Sequence, residues 1–433
     1  MKTNPPRTPA PLPRLASGTT DNKNQCPGKE STMLSSTRPD HVAEDRLFDF
    51  DMFNVTGSDE PPQDLHEAYA RRLHEQAPDV FYTLRNGGHW VITRYEQISE
   101  VVRDPEHFSA SEQQIPRIEN PPVFIPLSLD PPANLPYRQA LMPHFSPKNV
   151  KALEEKIRYW ANRLIDEVQA QGGCEFTQSV SSAFPVSIFM ELMGMPLERL
   201  REFRELSDRF FSTNVQEELH ALSGQIIGIM TELIEAKRVA PGEDLISYLV
   251  GVEIEGRPIR LDEIQNMCFL LFLGGMDTVA NATAFTFRQL ARDAQLQARL
   301  AADPALIPAF VDEGLRCFGI ISTPRMVAKD CERFGVRFKQ GDMVLSLLPI
   351  SGRDERKNER PHEFDLDRAK RESLTFSTGA HLCLGHFLAR AEMRVLTEEW
   401  LKRIPSFRLA ADATPRYRMG YALALLELPL QWN

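Results

Sequence analysis

No Cys-x-x-Cys pair occurs in this chain; its six cysteines, Cys26, Cys174, Cys268, Cys317, Cys331 and Cys383, are scattered. That spacing offers neither a zinc cluster nor a disulfide framework, and it suits a reducing cytoplasm. Basic charge is short as well. The formal net charge is −10, which argues against a general nucleic-acid binder. Long apolar runs are missing: none approaches the roughly 18 to 20 residues that span a bilayer. The most apolar piece, 267-MCFLLFLGGM-276, runs straight into Asp277. Near the start there is no apolar segment of the kind a secretory signal requires. Residues 1–45, rich in Pro, Ser, Thr and Asn, read instead as a disordered tail. A soluble protein is expected.

What is present is an ordinary globular composition, 42% hydrophobic and 25% charged over 433 residues. Neither a linker nor an internal repeat divides residues 46–433, so one domain is the economical reading. The clearest strand signal is a hairpin, with 80-VFYTLR-85 and 89-HWVITR-94 flanking Asn86-Gly87-Gly88. Helical periodicity dominates afterwards. The run 149-NVKALEEKIRYWANRLIDEVQAQGG-173 places apolar residues three and four apart and ends in a glycine pair. Further helices are expected near 185–210, 216–238, 261–293 and 305–318. Short strands are expected on both sides of Gln340-Gly341-Asp342 within 335–348, and as another pair near 420–431. The fold class is therefore mainly α with small β-sheets.

Three local patterns carry chemistry. In 376-FSTGAHLCLG-385 a thiol lies between leucines, flanked by Gly379 and Gly385 and followed by the amphipathic run 387-FLARAEMRVLTEEWL-401. A thiolate there meets backbone N–H groups and a helix N-terminus, which stabilise charge on sulfur and favour metal ligation. A lone cysteine is more often an inert buried residue; the pattern around Cys383 is what argues otherwise. The second pattern is 270-LLFLGGMDTVANAT-283. Two glycines inside an apolar helix cost about 1 kcal/mol each against alanine, Asp277 is expensive to bury unpaired, and Thr278 can bond its own i−4 carbonyl. Together they mark either a loosened, ligand-admitting helix or a helix crossing at the glycines. The third is 313-EGLR-316, an i,i+3 pair that taken alone reads as a surface ion pair.

Taken together, the cysteine loop and the acid–alcohol helix resemble those of the cytochrome P-450 monooxygenases. That resemblance implies the fold of the family, with haem b between the two segments. Cys383 is then the thiolate ligand of the haem iron. Gly275 leaves room for dioxygen, while Asp277 and Thr278 order water and deliver protons. Glu313 and Arg316 pin 360-RPHEFDLDR-368 behind the haem. Arg138, Arg325 and His381, with Asn134 as a fourth, fall where the family holds its haem propionates, and guanidinium suits carboxylates.

A closer likeness joins 48-FDFDMFN-54, 86-NGGHW-90, 124-FIPLSLDPP-132, 274-GGMDTV-279, 379-GAHLCLG-385 and 428-LPLQW-432. These segments are similar to those of the bacterial camphor-hydroxylase subfamily, and the likeness covers roughly residues 45–433. It implies a monomer that takes electrons from a small [2Fe-2S] ferredoxin served by a flavin-dependent reductase, with Arg138 on the docking side. This chain also departs from that subfamily. The stretch 118-IENPPVFIP-126 lacks the tyrosine that addresses a substrate ketone, and Gln114 replaces an aromatic. The pocket lining is expected from Gln114, Leu127, Leu270, Leu273, Ile321, Tyr421 and Ala422. Tyr421 either supplies a relocated hydrogen bond or fills volume. Thr323 stands in place of an acid near a propionate. Arg204 and Ser212 occupy the positions that restrain the acid in the subfamily, so a less restrained Asp277 is expected. The implied activity is hydroxylation of a small hydrophobic terpenoid or norisoprenoid. Its rivals are a peroxide-driven haem-thiolate enzyme and a non-catalytic haem sensor or carrier.

Overall fold

The computed structural model describes residues 37–117, 123–213 and 215–433. Folded structure begins ahead of residue 46. Val42 is fully buried in the core beneath the main sheet, and His41 Nε2 lies 2.8 Å from Asp342 Oδ2.

Nine helices position the site: α1 (Leu135–Leu141), α2 (Pro147–Val168), α3 (Ala183–Met193), α4 (Leu200–Ser212), α5 (Gln216–Val239), α6 (Leu261–Met276), α7 (Thr278–Ala291), α8 (Ile307–Cys317) and α9 (His386–Arg403). Their boundaries follow local chemistry. Ser146 caps α2 by accepting from Asn149 N, and Pro147 occupies its first turn. Past its end, Gly172 adopts φ +68°. The single helix expected over 185–210 is two, because Gly194 (φ +66°) closes α3 and Pro196 follows it in extended backbone. The helix expected over 261–293 breaks at Asp277 into α6 and α7. Together Leu261–Ala291 are apolar and long enough, by length and composition, to cross a membrane. Asp277 and scattered polar residues interrupt the apolar runs of this stretch, so no single run reaches that length. Rather more than half of its most apolar window, 56%, is buried against the rest of the protein.

A five-stranded sheet stands beside the helices. Its strands are β1 (Val80–Thr83), β2 (His89–Ile92), β3 (Phe108–Ser109), β4 (Thr323–Val327) and β5 (Met343–Ser346), in the spatial order β1-β2-β5-β4-β3. The β1–β2 hairpin forms as expected, with Val80 opposite Ile92 and positive φ at Asn86, Gly87 and Gly88. The two strands around Gln340-Gly341-Asp342 do not pair with each other. Val336–Phe338 turns back on Cys331–Arg333, whereas β5 inserts between β2 and β4. Asp342 enforces the separation, accepting from Lys339 N at 2.9 Å and from Trp90 Nε1 at 3.0 Å. Near the C-terminus, Ala424–Leu425 pairs with Tyr417–Arg418, while Pro429–Trp432 joins Phe407–Leu409 and Gly173–Glu175.

Candidate functional site

The break between α6 and α7 is held by short bonds. Thr278 Oγ1 donates to Gly274 O at 2.8 Å, and Asn281 Nδ2 donates to Asp277 O at 2.8 Å. Buried residues Met267, Cys268, Phe269, Phe272 and Met276 clothe one side of α6. Leu270, Leu273, Gly274, Asp277 and Thr278 stay half-buried or exposed on another. That spacing of three and four marks one open stripe on a central helix. A Cβ on Gly275 falls 2.7 Å from Phe189 Cδ2, whereas one on Gly274 meets nothing within 4 Å. Space for a ligand therefore lies over Gly274. Gly275 is small where α6 crosses α3.

Asp277 is restrained, contrary to expectation, and from an unforeseen direction. Arg418 Nη2 lies 2.6 Å from Asp277 Oδ2. Burial raises the Asp277 pKa, opposed by Arg418 and Asn281. Arg204 donates to Gln178 O, and the Ser212 side chain lies outside the described residues.

Cys383 sits ahead of α9, its N–H bonded to Phe376 O at 2.9 Å. Positive φ at Ser377 and Gly379 turns the loop. A Cβ on Gly379 would fall 3.1 Å from Arg103 Cγ, while one on Gly385 would make ordinary contact with Cys383 Sγ. The Cys383 residue keeps exposed surface although burial pushes its thiol up. It is thus deep within protein while facing open space. The Gly385 N–H, Arg138 and Arg390 oppose that upward shift, as a thiolate ligand requires.

Around this opening four predicted residues converge. Arg138 Nη2 donates to Leu382 O at 2.6 Å. Arg325 is 1% exposed; its Nη1 donates to Pro324 O at 2.7 Å and to Thr323 Oγ1 at 3.2 Å. Burial lowers Arg325 to about 10, with Asp130 opposing. His381 falls to about 4 through burial, then through Arg325 and Arg138. Both of its ring nitrogens and Asn134 Oδ1 are buried without a partner. Two guanidinium groups and an unsatisfied imidazole, close enough to influence one another, fit a dianionic edge such as the two propionates of haem. Thr323 serves as an acceptor for Arg325. Asp130, which no sequence motif marks, accepts from Ala110 N at 2.8 Å and moderates both Arg325 and His381.

Glu313 and Arg316 are 0% exposed and bonded twice, at 2.7 and 3.0 Å. Arg316 also donates to Gly352 O, Pro361 O and Glu363 O. Glu313 accepts from Asp365 N and Arg368 Nε. The pair is a buried clamp on residues 361–368, as expected, and not a surface ion pair.

The expected lining residues Gln114, Leu127, Leu270, Leu273, Ile321, Tyr421 and Ala422 are all half-buried. Residues 118–122 lie outside the described residues. Ala422 bridges to Ile321. The Tyr421 hydroxyl donates to Ile115 O at 3.1 Å and accepts from Ile115 N, so its hydrogen-bonding is spent on backbone. On the clothed side of α6, Phe124 stacks on Phe269 at 5.9 Å, and Phe210 meets Phe269 edge-on at 6.0 Å.

A cytochrome P-450 family model matches residues 203–429. The chain is 31% identical to the probable cytochrome P-450 127A1 of Sinorhizobium fredii, over 91% of this chain and 96% of that protein. The crystal structure of CYP101J2 superposes with TM-score 0.84 at 36% identity, covering 92% of this chain and 100% of that one. That of cytochrome P-450 CYP101C1 does so with TM-score 0.84 at 32% identity, with the same coverage.

Proposed function

The chain belongs to the cytochrome P-450 family of haem b monooxygenases, and we propose that it hydroxylates a small hydrophobic terpenoid or norisoprenoid. Dioxygen and two electrons from a [2Fe-2S] ferredoxin, served by a flavin-dependent reductase, complete the reaction. The observation that carries this reading is the open stripe of α6, where apolar Leu270 and Leu273 lead through Gly274 into the helix break at Asp277 and Thr278. An apolar wall and a proton-handling pair meet at one helix break.

In this reading Cys383 ligates the iron through its thiolate, and Arg138, Arg325, His381 and Asn134 hold the propionates. Bound haem supplies dioxygen activation and insertion of one oxygen atom into a C–H bond. The chain supplies position and protons. Leu127, Leu270, Leu273, Ile321 and Ala422 press the substrate by shape. Such pockets discriminate by about 1–3 kcal/mol per methylene, far less than a hydrogen-bonding site. Thr278, held on Gly274 O, orders water above the open stripe, and Asp277 passes it protons. Glu313 and Arg316 touch no reacting atom and keep the backbone behind the haem in place.

For the electron donor, exposed Leu135, Met142, Leu382 and Phe387 lie in sequence around Arg138 and Cys383. An apolar rim with a cation suits a transient, acidic docking partner. A cytoplasmic monomer fits this scheme.

Spin-shift titration of the ferric protein with camphor, cineole, ionones and damascone tests the substrate class. The expected result is a large shift with at least one compound other than camphor. A full shift with tightly bound camphor overturns the pocket reading, and no shift with any of the series overturns the class.

A further inference from the structure

The cation on Asp277 comes from a part of the chain that no catalytic motif contains. Arg418 belongs to the strand Tyr417–Arg418, which returns as Ala424–Leu425. Between the two strands lie Tyr421 and Ala422 of the pocket wall. That short hairpin is tied down on both sides of the wall. Ser322 N donates to Tyr421 O at 2.8 Å and Leu423 N to Ile320 O at 3.0 Å, while the Tyr421 hydroxyl holds Ile115. One small unit therefore carries both the pocket wall and the partner of the acid.

Arg418 is also the meeting point of three elements. Its guanidinium bonds the α6–α7 break through Asp277. Its Cζ stands 5.7 Å from the ring centroid of Phe211 on α4. It also acts on Asp208 of α4, whose pKa burial raises, whose charge Arg204 and Arg418 favour, and which Asp277 disfavours. Two carboxylates thus lie within reach of one another's charge, and Arg418 favours the ionised form of both. The Arg418 and Asp277 side chains are 21% and 12% exposed, so solvent screens the pair only in part. If α4 shifts, Arg418 loses the Phe211 ring but keeps Asp277; if the hairpin shifts, Asp277 loses its partner.

We propose that Arg418 is a positioning residue for Asp277, and that the hairpin bearing it makes the hold on the acid answer to the state of the pocket wall. This rests on the reading of Asp277 as the proton-delivering group, and it goes further. It moves control of the acid from α4, where Arg204 and Ser212 stand, to the hairpin 417–425.

Hydrogen–deuterium exchange on the full-length, haem-loaded protein tests this without any substrate. In Arg418→Gln, amides of 274–281 should exchange about tenfold faster, the equivalent of one lost charge-assisted hydrogen bond. Arg418→Lys should recover most of the protection. Tyr421→Phe, which frees the hairpin from Ile115 and leaves Arg418 intact, should loosen 274–281 in the same direction. On an Asp277→Asn background, Arg418→Gln should add little further. Unchanged exchange at 274–281 in Arg418→Gln overturns the positioning role. Unchanged exchange in Tyr421→Phe overturns the link to the wall. Should Arg418→Gln not fold, the Lys and Phe variants still decide the matter. An error in the proton-delivery reading shows elsewhere, as Asp277→Asn turning over normally with the exchange results intact.

Discussion

Thr278 Oγ1 donates to Gly274 O at 2.8 Å, so the alcohol at the helix break rests on the one nearby residue whose Cβ position is open. The two are a unit: the glycine leaves the space and the threonine borders it.

Replacing Thr278 by Ala should therefore leave the fold intact and damage proton handling. NADH consumption should continue while product per NADH falls about tenfold or more, since positioned proton transfer contributes roughly 10²–10⁴-fold. Thr278→Ser should retain most of the yield. Product and peroxide assays against NADH consumed provide the check, and an unchanged yield in the Ala variant removes Thr278 from the proton path.

The two glycines should part company on mutation. Gly275→Ala drives a methyl toward Phe189 and should destabilise by about 1–3 kcal/mol, as overpacking does. Gly274→Ala meets no atom and should be neutral or stabilising by up to about 1 kcal/mol, while lowering turnover by filling the open stripe. Urea unfolding of both variants separates the cases.

For Cys383→Ala, the reduced protein under carbon monoxide should lose the thiolate-type absorption band. Persistence of that band in the variant refutes the assignment of Cys383 as the iron ligand.

Removing Glu313 strands Arg316 and Arg368 in the interior. Glu313→Ala should cost about 3–5 kcal/mol, the range for breaking one side of a buried pair. Denaturant unfolding measures it, and a loss below about 1 kcal/mol would return the pair to the surface-type class.

The acid limb of stability has an identifiable contributor in Glu263. A hydrogen bond from Arg257 holds it down at about 2 against an ordinary 4.5, with burial opposing. A depressed folded-state pKa contributes stability that is complete above the ordinary value and lost as the pH falls toward the folded one. Glu263→Gln should thus be less stable than the parent at neutral pH, with the gap closing between pH 4.5 and 2. Unfolding midpoints over a pH series follow the convergence; a gap that stays constant contradicts it.

What could be read from sequence was what lies close together along the chain. The Cys383 loop, the Gly274–Thr278 break and the Glu313–Arg316 pair each fit within a few turns of helix, so spacing alone exposed them. Arg418 did not show, because 141 residues separate it from Asp277 and an arginine in a short edge strand has no distinguishing pattern. The occupied hydroxyl of Tyr421 was hidden for the same reason, its partner being 306 residues away. Strand pairing around Asp342 failed differently: the turn was real, but partners in a sheet are chosen by tertiary packing. Gly274 and Gly275 look alike in sequence, and only the direction of the missing Cβ tells them apart.

The Tyr421 hydroxyl grips both the N–H and the C=O of Ile115 and no side chain of that segment. A clamp made on backbone is indifferent to which residues it clamps. The half-buried Gln114 can therefore be exchanged while that anchorage persists, whereas Ile115 itself is committed to the core.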